Sequence, residues 1–361
     1  MTSLPSEWAQ TLEQDGARTR HTFSFHPNFL PTAVGSLPHT DPVAACALVK
    51  AYLPEIPCWP QLPRRDARES MYAQYSRGFP GIVIEDARVY VDRTRDLDPE
   101  LADLYARHLD DDIDAGAIHA EYAAGLAQFL SMHWENARAV KGQIIGPISW
   151  GLTVTDQDRR SILYDDVLAD AVAIQLSLQA AWQERELRKL APETILFLDE
   201  PYLASFGSAY VAVEREQVIS SLDQVFARLH GIKGLHCCGN TDWSLLLSTS
   251  LDILNFDAYN YAETLALYPD ALRAFLERGG VIAWGIVPVQ DDAHVMAETA
   301  ESLVERLNGA LQHVASKGVP LAALRQASLI TPACGMGTLS ERGAERALKL
   351  LVQVSERMRE K

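Results

Sequence analysis

The chain has 361 residues, and 32 Lys and Arg against 48 Asp and Glu give it a formal charge of −16. At 48% hydrophobic and 22% charged it can bury a full core, which excludes disorder and collagen-like repeats. The acidic balance argues against nucleic-acid and anionic-membrane binding, because neutralising phosphates needs clustered Lys and Arg. No apolar run approaches the roughly 18 residues of a membrane span, and the opening MTSLPSEWAQTLEQDG lacks a signal-peptide core. Five cysteines, two of them adjacent, make a poor disulfide framework for a chain of this size, so the expectation is a cytoplasmic protein with reduced thiols.

Taken in chain order, short runs rich in Val and Ile alternate with longer segments of helical period. Strands are expected at 31–36, 54–59, 140–146, 194–199, 233–238, 252–257, 280–287 and 327–333. Helical patterns occupy 42–53, 164–191, 212–230, 262–278, 291–317 and 340–358. Strands that alternate with helices imply right-handed βαβ units and a parallel sheet. Eight of them suggest an α/β fold of the (β/α)8 TIM barrel type as a single domain over 1–361, with a doubly wound open sheet as the alternative. Residues 80–136 do not fit a minimal barrel. They begin with GIVIEDARVYVD, which reads as a hairpin closed by Glu85-Asp86, and continue into acidic helical sequence. This is an insertion after the second strand, expected to cap one face. Its run Asp110-Asp111-Asp112 reads as a solvated helix end rather than a metal site.

The strongest chemical signal is Gly234-Leu235-His236-Cys237-Cys238-Gly239-Asn240. Imidazole and thiols at the end of an apolar strand suit a soft tetrahedral ion such as Zn2+. In an extended strand, residues i and i+2 share a face, so His236 and Cys238 can chelate together while Cys237 faces the helices. The alternative is two buried cysteines beside a core histidine. Cys334, in Thr331-Pro332-Ala333-Cys334-Gly335, again lies where an apolar strand runs into a glycine-rich loop. In a barrel the strand C-termini converge on one mouth, so His236, Cys238 and Cys334 would meet there and leave the open position typical of a catalytic zinc. Asp257, at the end of DILNFD, is a fourth candidate ligand or else a helix cap. Cys46 and Cys58 read as apolar filler.

Other strand ends offer polar groups. Asp199-Glu200-Pro201 puts two acids at the expected mouth, where Asp199 suits an amino group of a substrate or a structural arginine. Gly35 and Ser36, ending the first strand, offer close backbone approach, a hydroxyl and an amide to a carboxylate. Arg64, Arg65 and Arg68 suit acidic substrate groups, with Arg68 alternatively pairing Asp66 or the acidic insertion.

Together AVGSLPH, GQIIGP, LFLDEP, LHCCGN, WGIVP and the late Cys-Gly resemble the superfamily of cobalamin-independent methionine synthase, corrinoid-dependent thiol methyltransferases and uroporphyrinogen decarboxylase. The resemblance spans most of the chain and implies a (β/α)8 barrel. It implies that His236, Cys238 and Cys334 hold zinc, that Asp257 stands roughly where the synthases have a glutamate ligand, and that Gly35, Ser36 and Asp199 hold the amino-acid part of homocysteine. LHCCGN looks closest to the corrinoid-dependent branch, whereas AVGSLPH and LFLDEP look more like methionine synthase. The decarboxylases need no such zinc trio. Two features depart from the folate-dependent synthases: there is room for one barrel only, and AWGIVPVQ lacks their late catalytic histidine. The acid that meets the homocysteine ammonium from the loop after the second strand has no evident match in PRRDARES.

The resulting expectation is a zinc-dependent methyltransferase acting on a small thiol such as homocysteine. The expected methyl donor is a methylated corrinoid, free or on a carrier protein docked against the acidic segment 86–114. The alternatives are a folate-dependent methyltransferase and a non-catalytic corrinoid- or zinc-binding barrel.

Overall fold

A computed structural model describes residues 23–85, 88–208 and 211–360. The first residues, including the stretch read for a signal peptide, and Asp86 of the expected turn lie outside them. The described residues form ten strands: β1 (Leu30–Pro31), β2 (Ile82–Glu85), β3 (Arg88–Val91), β4 (Ala139–Ile145), β5 (Thr155–Asp156), β6 (Glu193–Asp199), β7 (Ile232–Cys237), β8 (Ile253–Phe256), β9 (Val281–Val287) and β10 (Ser328–Pro332). Seven form a curled parallel sheet in the order β1-β10-β9-β8-β7-β6-β4. β4, β8, β9 and β10 are buried along their whole length, and β6 and β7 at all but one residue each. That explains their largely apolar runs: a parallel strand covered on both faces has no solvent side to alternate with.

The curl separates two apolar layers. A small inner cluster joins Phe25, Leu30, Ile56, Ile195, Phe197, Ile253 and Leu329, while a much larger one lies between the sheet and the helices outside it. The first two expected strands are barely strands, and proline explains why. Pro31, Pro57, Pro60 and Pro63 each lack the N–H that a continuous ladder needs. Even so, residues 55–61 hydrogen-bond to both free edges of the sheet. Lys141 N donates to Pro57 O at 2.8 Å and Trp59 N to Lys141 O at 3.2 Å on one side. On the other, Gln61 N donates to Gly35 O at 3.2 Å and Leu37 N to Gln61 O at 2.9 Å.

The helices follow the expected segments, with two interruptions. The pattern 262–278 divides into Ala258–Leu265 and Pro269–Glu277, because Pro269 has no N–H to continue a helix and instead starts one. The pattern 291–317 divides at Thr299, whose side chain caps Ala300–Ser316 in a reciprocal box with Ser302. The hairpin is present: β2 and β3 pair antiparallel with Glu85 opposite Arg88, and β3 then pairs with β5. Downstream, helix Asp98–Leu109 and the turn Ile113–Gly116 pack on the long helix Asp166–Leu187. A Cβ on Gly116 would stand 2.3 Å from the Leu178 carbonyl, so only glycine allows this approach. Asp110 ends the first of these helices and Asp111 pairs with Arg228, in keeping with a solvated helix end.

Glu200 ties two strand ends together. Its carboxylate, fully buried, accepts Ile148 N at 2.9 Å, Ser149 N at 2.8 Å and Ser149 Oγ at 2.6 Å, at the start of helix Pro147–Thr153. Burial pushes its carboxyl up to about 7, against the pull of these donors. A carboxyl whose folded value is raised favours folding while protonated. Its contribution is therefore complete below about pH 4.5 and is lost as the pH rises through about 7. Urea melts should show stability falling by roughly 3 kcal/mol from this group across that interval, and Glu200→Gln should flatten the slope. An unchanged slope in the variant would remove Glu200 as its source.

Candidate functional site

The curled sheet brings the ends of β6, β7 and β10 to one rim. Asp199 and His236 are register partners on β6 and β7, so both side chains point to the inside. Cys238 follows β7 by one residue and shares the face of His236. Cys334 follows β10 by two residues, after a register shift at Thr331/Pro332. One ligand atom from each of His236, Cys238 and Cys334 lies within 4.8 Å of the others. Cys237 faces the opposite way: it is fully buried in the outer layer, and its thiol donates to Gly239 O at 3.6 Å. Cys46 and Cys58 are buried in the same layer.

The ring of His236 is fixed by one nitrogen and free at the other. Nδ1 stands 2.6 Å from Asn255 Oδ1, whereas Nε2 is buried without a hydrogen-bond partner among the described residues. A buried nitrogen left bare beside two thiols is what a metal ligand requires. The adjoining Cys334 thiol, and after it the His236 ring, pull the Cys238 thiol well below its ordinary value, so it is the readier thiolate of the pair. The donor set, one imidazole and two sulfurs, fits Zn2+. Asp257 is not in this group. It caps helix Ala258–Leu265, accepting Asn260 N at 3.0 Å and Asn260 Nδ2 at 2.6 Å. It lies near enough for the Cys238 charge to add to the burial that raises its carboxyl.

The three residues line a cavity of about 610 Å3, together with Ser36, Arg64, Glu69, Tyr72 and Asp199. Asp199 Oδ1 is buried with no partner among the described residues, and burial pushes its carboxyl up to about 6, against the opposing charges of His236 and Lys141. Gly35 does not line the cavity. It accepts Gln61 N, and a Cβ there would stand 2.6 Å from the Gln143 side chain. Ser36 does line it, and its Oγ accepts Gly337 N at 3.3 Å, which joins the first strand end to the loop carrying Cys334.

Within PRRDARES, Glu69 also lines the cavity. It is 1% exposed; Oε1 meets Arg65 Nη1 at 2.6 Å, and Oε2 is buried without a partner among the described residues. Its spacing of four from Arg65 looks like an ordinary surface pair, and only the fold shows that it lines the cavity. The arginines separate accordingly. Arg65 holds Glu69, Arg68 holds Asp66 and Glu121, and Arg64 lines the cavity while donating to Thr338 O at 2.7 Å. A neighbouring cavity of about 450 Å3 shares Ser70 and Tyr72 with the first and is lined by Arg88 and Val89 of the hairpin.

This fold is shared with solved proteins. A methyltransferase from Methanosarcina mazei matches it with a TM-score of 0.51 over 94% of this chain and 96% of its own, at 10% identity. A B12-independent methionine synthase from Shewanella sp. W3-18-1, solved in complex with selenomethionine, aligns at 22% identity and a TM-score of 0.47 over 62% of this chain; the chain spans 62% of that protein's length. No family model and no curated protein matches the chain. The M. mazei likeness shows a fold held in common along nearly the whole chain.

The two adjacent cysteines should behave oppositely. Cys238→Ser and Cys334→Ser should each abolish stoichiometric Zn2+ binding, whereas Cys237→Ser should retain about one ion per chain, as read by elemental analysis after dialysis. Loss of metal in Cys237→Ser with retention in Cys238→Ser would reverse the assignment.

Proposed function

We propose that the chain is a zinc-dependent methyltransferase that moves a methyl group onto the thiol of homocysteine to give methionine. One observation carries this reading: His236, Cys238 and Cys334 sit on a cavity that also holds two acids, Asp199 and Glu69, each with a buried carboxylate oxygen that has no partner among the described residues. A soft metal site beside two carboxylates, each with one such oxygen, suits a molecule with a thiol at one end and an ammonium at the other. The Ser36 loop, which lines the same cavity, would meet its carboxylate. In this proposal residues 55–61 close the sheet into a single (β/α)8 barrel, and 80–136 is an insertion at its mouth. The five free cysteines fit a cytoplasmic setting.

His236, Cys238 and Cys334 would hold the zinc, with Asp257 the proposed residue for a fourth position. Zn2+ bound there supplies Lewis acidity that keeps a thiol deprotonated at neutral pH. Asp199 and Glu69 accept hydrogen bonds from the ammonium and so fix the direction from which the acceptor sulfur approaches. That sulfur attacks the methyl carbon; the new sulfur–carbon bond forms as the donor's bond to the methyl breaks, its electron pair leaving with the donor.

The proposed donor is a methylated corrinoid. Its cobalt retains the electron pair and needs no proton, whereas a folate amine leaves well only after N5 is protonated by a positioned acid. Among the described residues lining the cavity, His236 is the one histidine, and it is already committed as a ligand. The adjoining cavity beside Arg88 and Val89 gives a large donor, free or on a carrier protein, a side from which to enter.

Zinc-loaded protein supplied with homocysteine and methylcobalamin should form methionine, while methyltetrahydrofolate should not replace the corrinoid. Turnover with the folate alone would refute the donor assignment, and no turnover with either would refute the reaction. Asp199→Asn and Glu69→Gln should each raise the KM for homocysteine about 10- to 100-fold, the loss of one charged hydrogen bond, with zinc content unchanged. Lost zinc at normal KM would make them metal-site residues instead.

A further inference from the structure

We infer that Asn255 is the positioning residue that keeps the proton of His236 on Nδ1 and so presents a bare Nε2 to the metal. This rests on the metal reading above but concerns a residue outside the ligand set. His236, Asn255 and Ala283 are register partners across β7, β8 and β9, and all three are buried. Asn255 Nδ2 donates to Ala283 O at 2.8 Å and to Thr331 Oγ1 at 2.7 Å. A backbone carbonyl only accepts, so the amide cannot be turned around. Its oxygen must face the ring, and an oxygen 2.6 Å from Nδ1 demands a proton there. A neutral imidazole has one proton, which leaves Nε2 with its lone pair.

Every hydrogen-bonding position of the Asn255 side-chain nitrogen is thus occupied by neighbours on β9 and β10. The orientation is set by the sheet itself, not by the metal, so the site is preorganised before an ion arrives. An asparagine inside a buried strand otherwise carries a desolvation cost that an apolar residue would avoid. Outer partners of this kind orient a ligating histidine and typically change metal affinity about 10- to 100-fold when removed.

The test uses the full chain and Zn2+. Affinity is measured by chelator competition in wild type, Asn255→Leu and Thr331→Val. The ring tautomer is read by nitrogen NMR of histidine-labelled, metal-free protein at a pH where the ring is neutral. In wild type the proton should sit on Nδ1. Asn255→Leu should bind zinc about 10- to 100-fold more weakly and shift the proton towards Nε2. Thr331→Val, which keeps the side-chain volume and leaves Asn255 in place, should move both readouts in the same direction by less. A wild-type ring protonated on Nε2, or Asn255→Leu with wild-type affinity and tautomer, would overturn the inference. If wild type binds no zinc, the metal reading fails, while the tautomer still decides what Asn255 does.

Discussion

Because every strand of the seven-stranded sheet runs the same way, all of its carboxyl ends emerge on one rim, and the curl turns that rim inward. Residues remote in sequence then meet without any loop having to reach for another. Asp199 ends β6, His236 lies near the end of β7, Asp257 follows β8 and Cys334 follows β10. Strand alternation decides which of their neighbours point inward. The same parallel register sets His236, Asn255 and Ala283 abreast, so the hydrogen bonds beneath the site are a consequence of the ladder.

The charges gathered there are unbalanced. Two thiols and the carboxylates of Asp199 and Glu69 surround one cavity; Arg64 lines it as well but donates to Thr338 O, and Arg65 answers only one oxygen of Glu69. The nearest buried cation is Lys141. Its ammonium donates to Val34 O at 2.7 Å and Gln143 Oε1 at 3.2 Å and lies 4.3 Å from the Phe197 ring centre. No carboxylate lies within ion-pair distance of it among the described residues. Burial accordingly lowers the Lys141 ammonium and raises the Asp199 carboxyl, each towards its neutral form. A divalent ion at the sulfurs and an ammonium at the carboxylates would supply the missing positive charge in two separate places. That division matches a substrate with a nucleophilic end and a cationic end.

Much of this was legible from residue order. Strands buried on both faces announce themselves as apolar runs, so β4, β6, β7, β8, β9 and β10 lie within a residue or two of their expected places. The first two strands were less faithful, because prolines remove ladder hydrogen bonds without preventing the chain from following the same path. Helix ends set by Pro269 and Thr299 interrupt patterns that hydrophobic period alone would run together. Among site residues, His236, Cys238 and Cys334 were readable because each adjoins an apolar strand. Glu69 was not, since it lies in a single 3-10 turn among arginines, and its burial is created by contacts distant in sequence. Asn255 gave no signal either: an asparagine within DILNFD has no motif, and its role exists only once three neighbouring strands are in register.

Two adjacent pairs show how the sheet separates chemistry from scaffold. Asp199 and Glu200 are neighbouring acids with similar intrinsic acidity, yet Asp199 turns into the cavity while Glu200 turns out to hold the start of helix Pro147–Thr153. Cys237 and Cys238 divide in the same manner, the first into the outer core and the second into the site. A one-residue slip of β6 or β7 would exchange these roles, putting a carboxylate with no helix donors outside and a site without its sulfur inside. The register is therefore under two constraints at once. Glu200 and Cys237 fix it by packing and hydrogen bonding on the outer face, and that is what delivers Asp199 and Cys238 to the inner one.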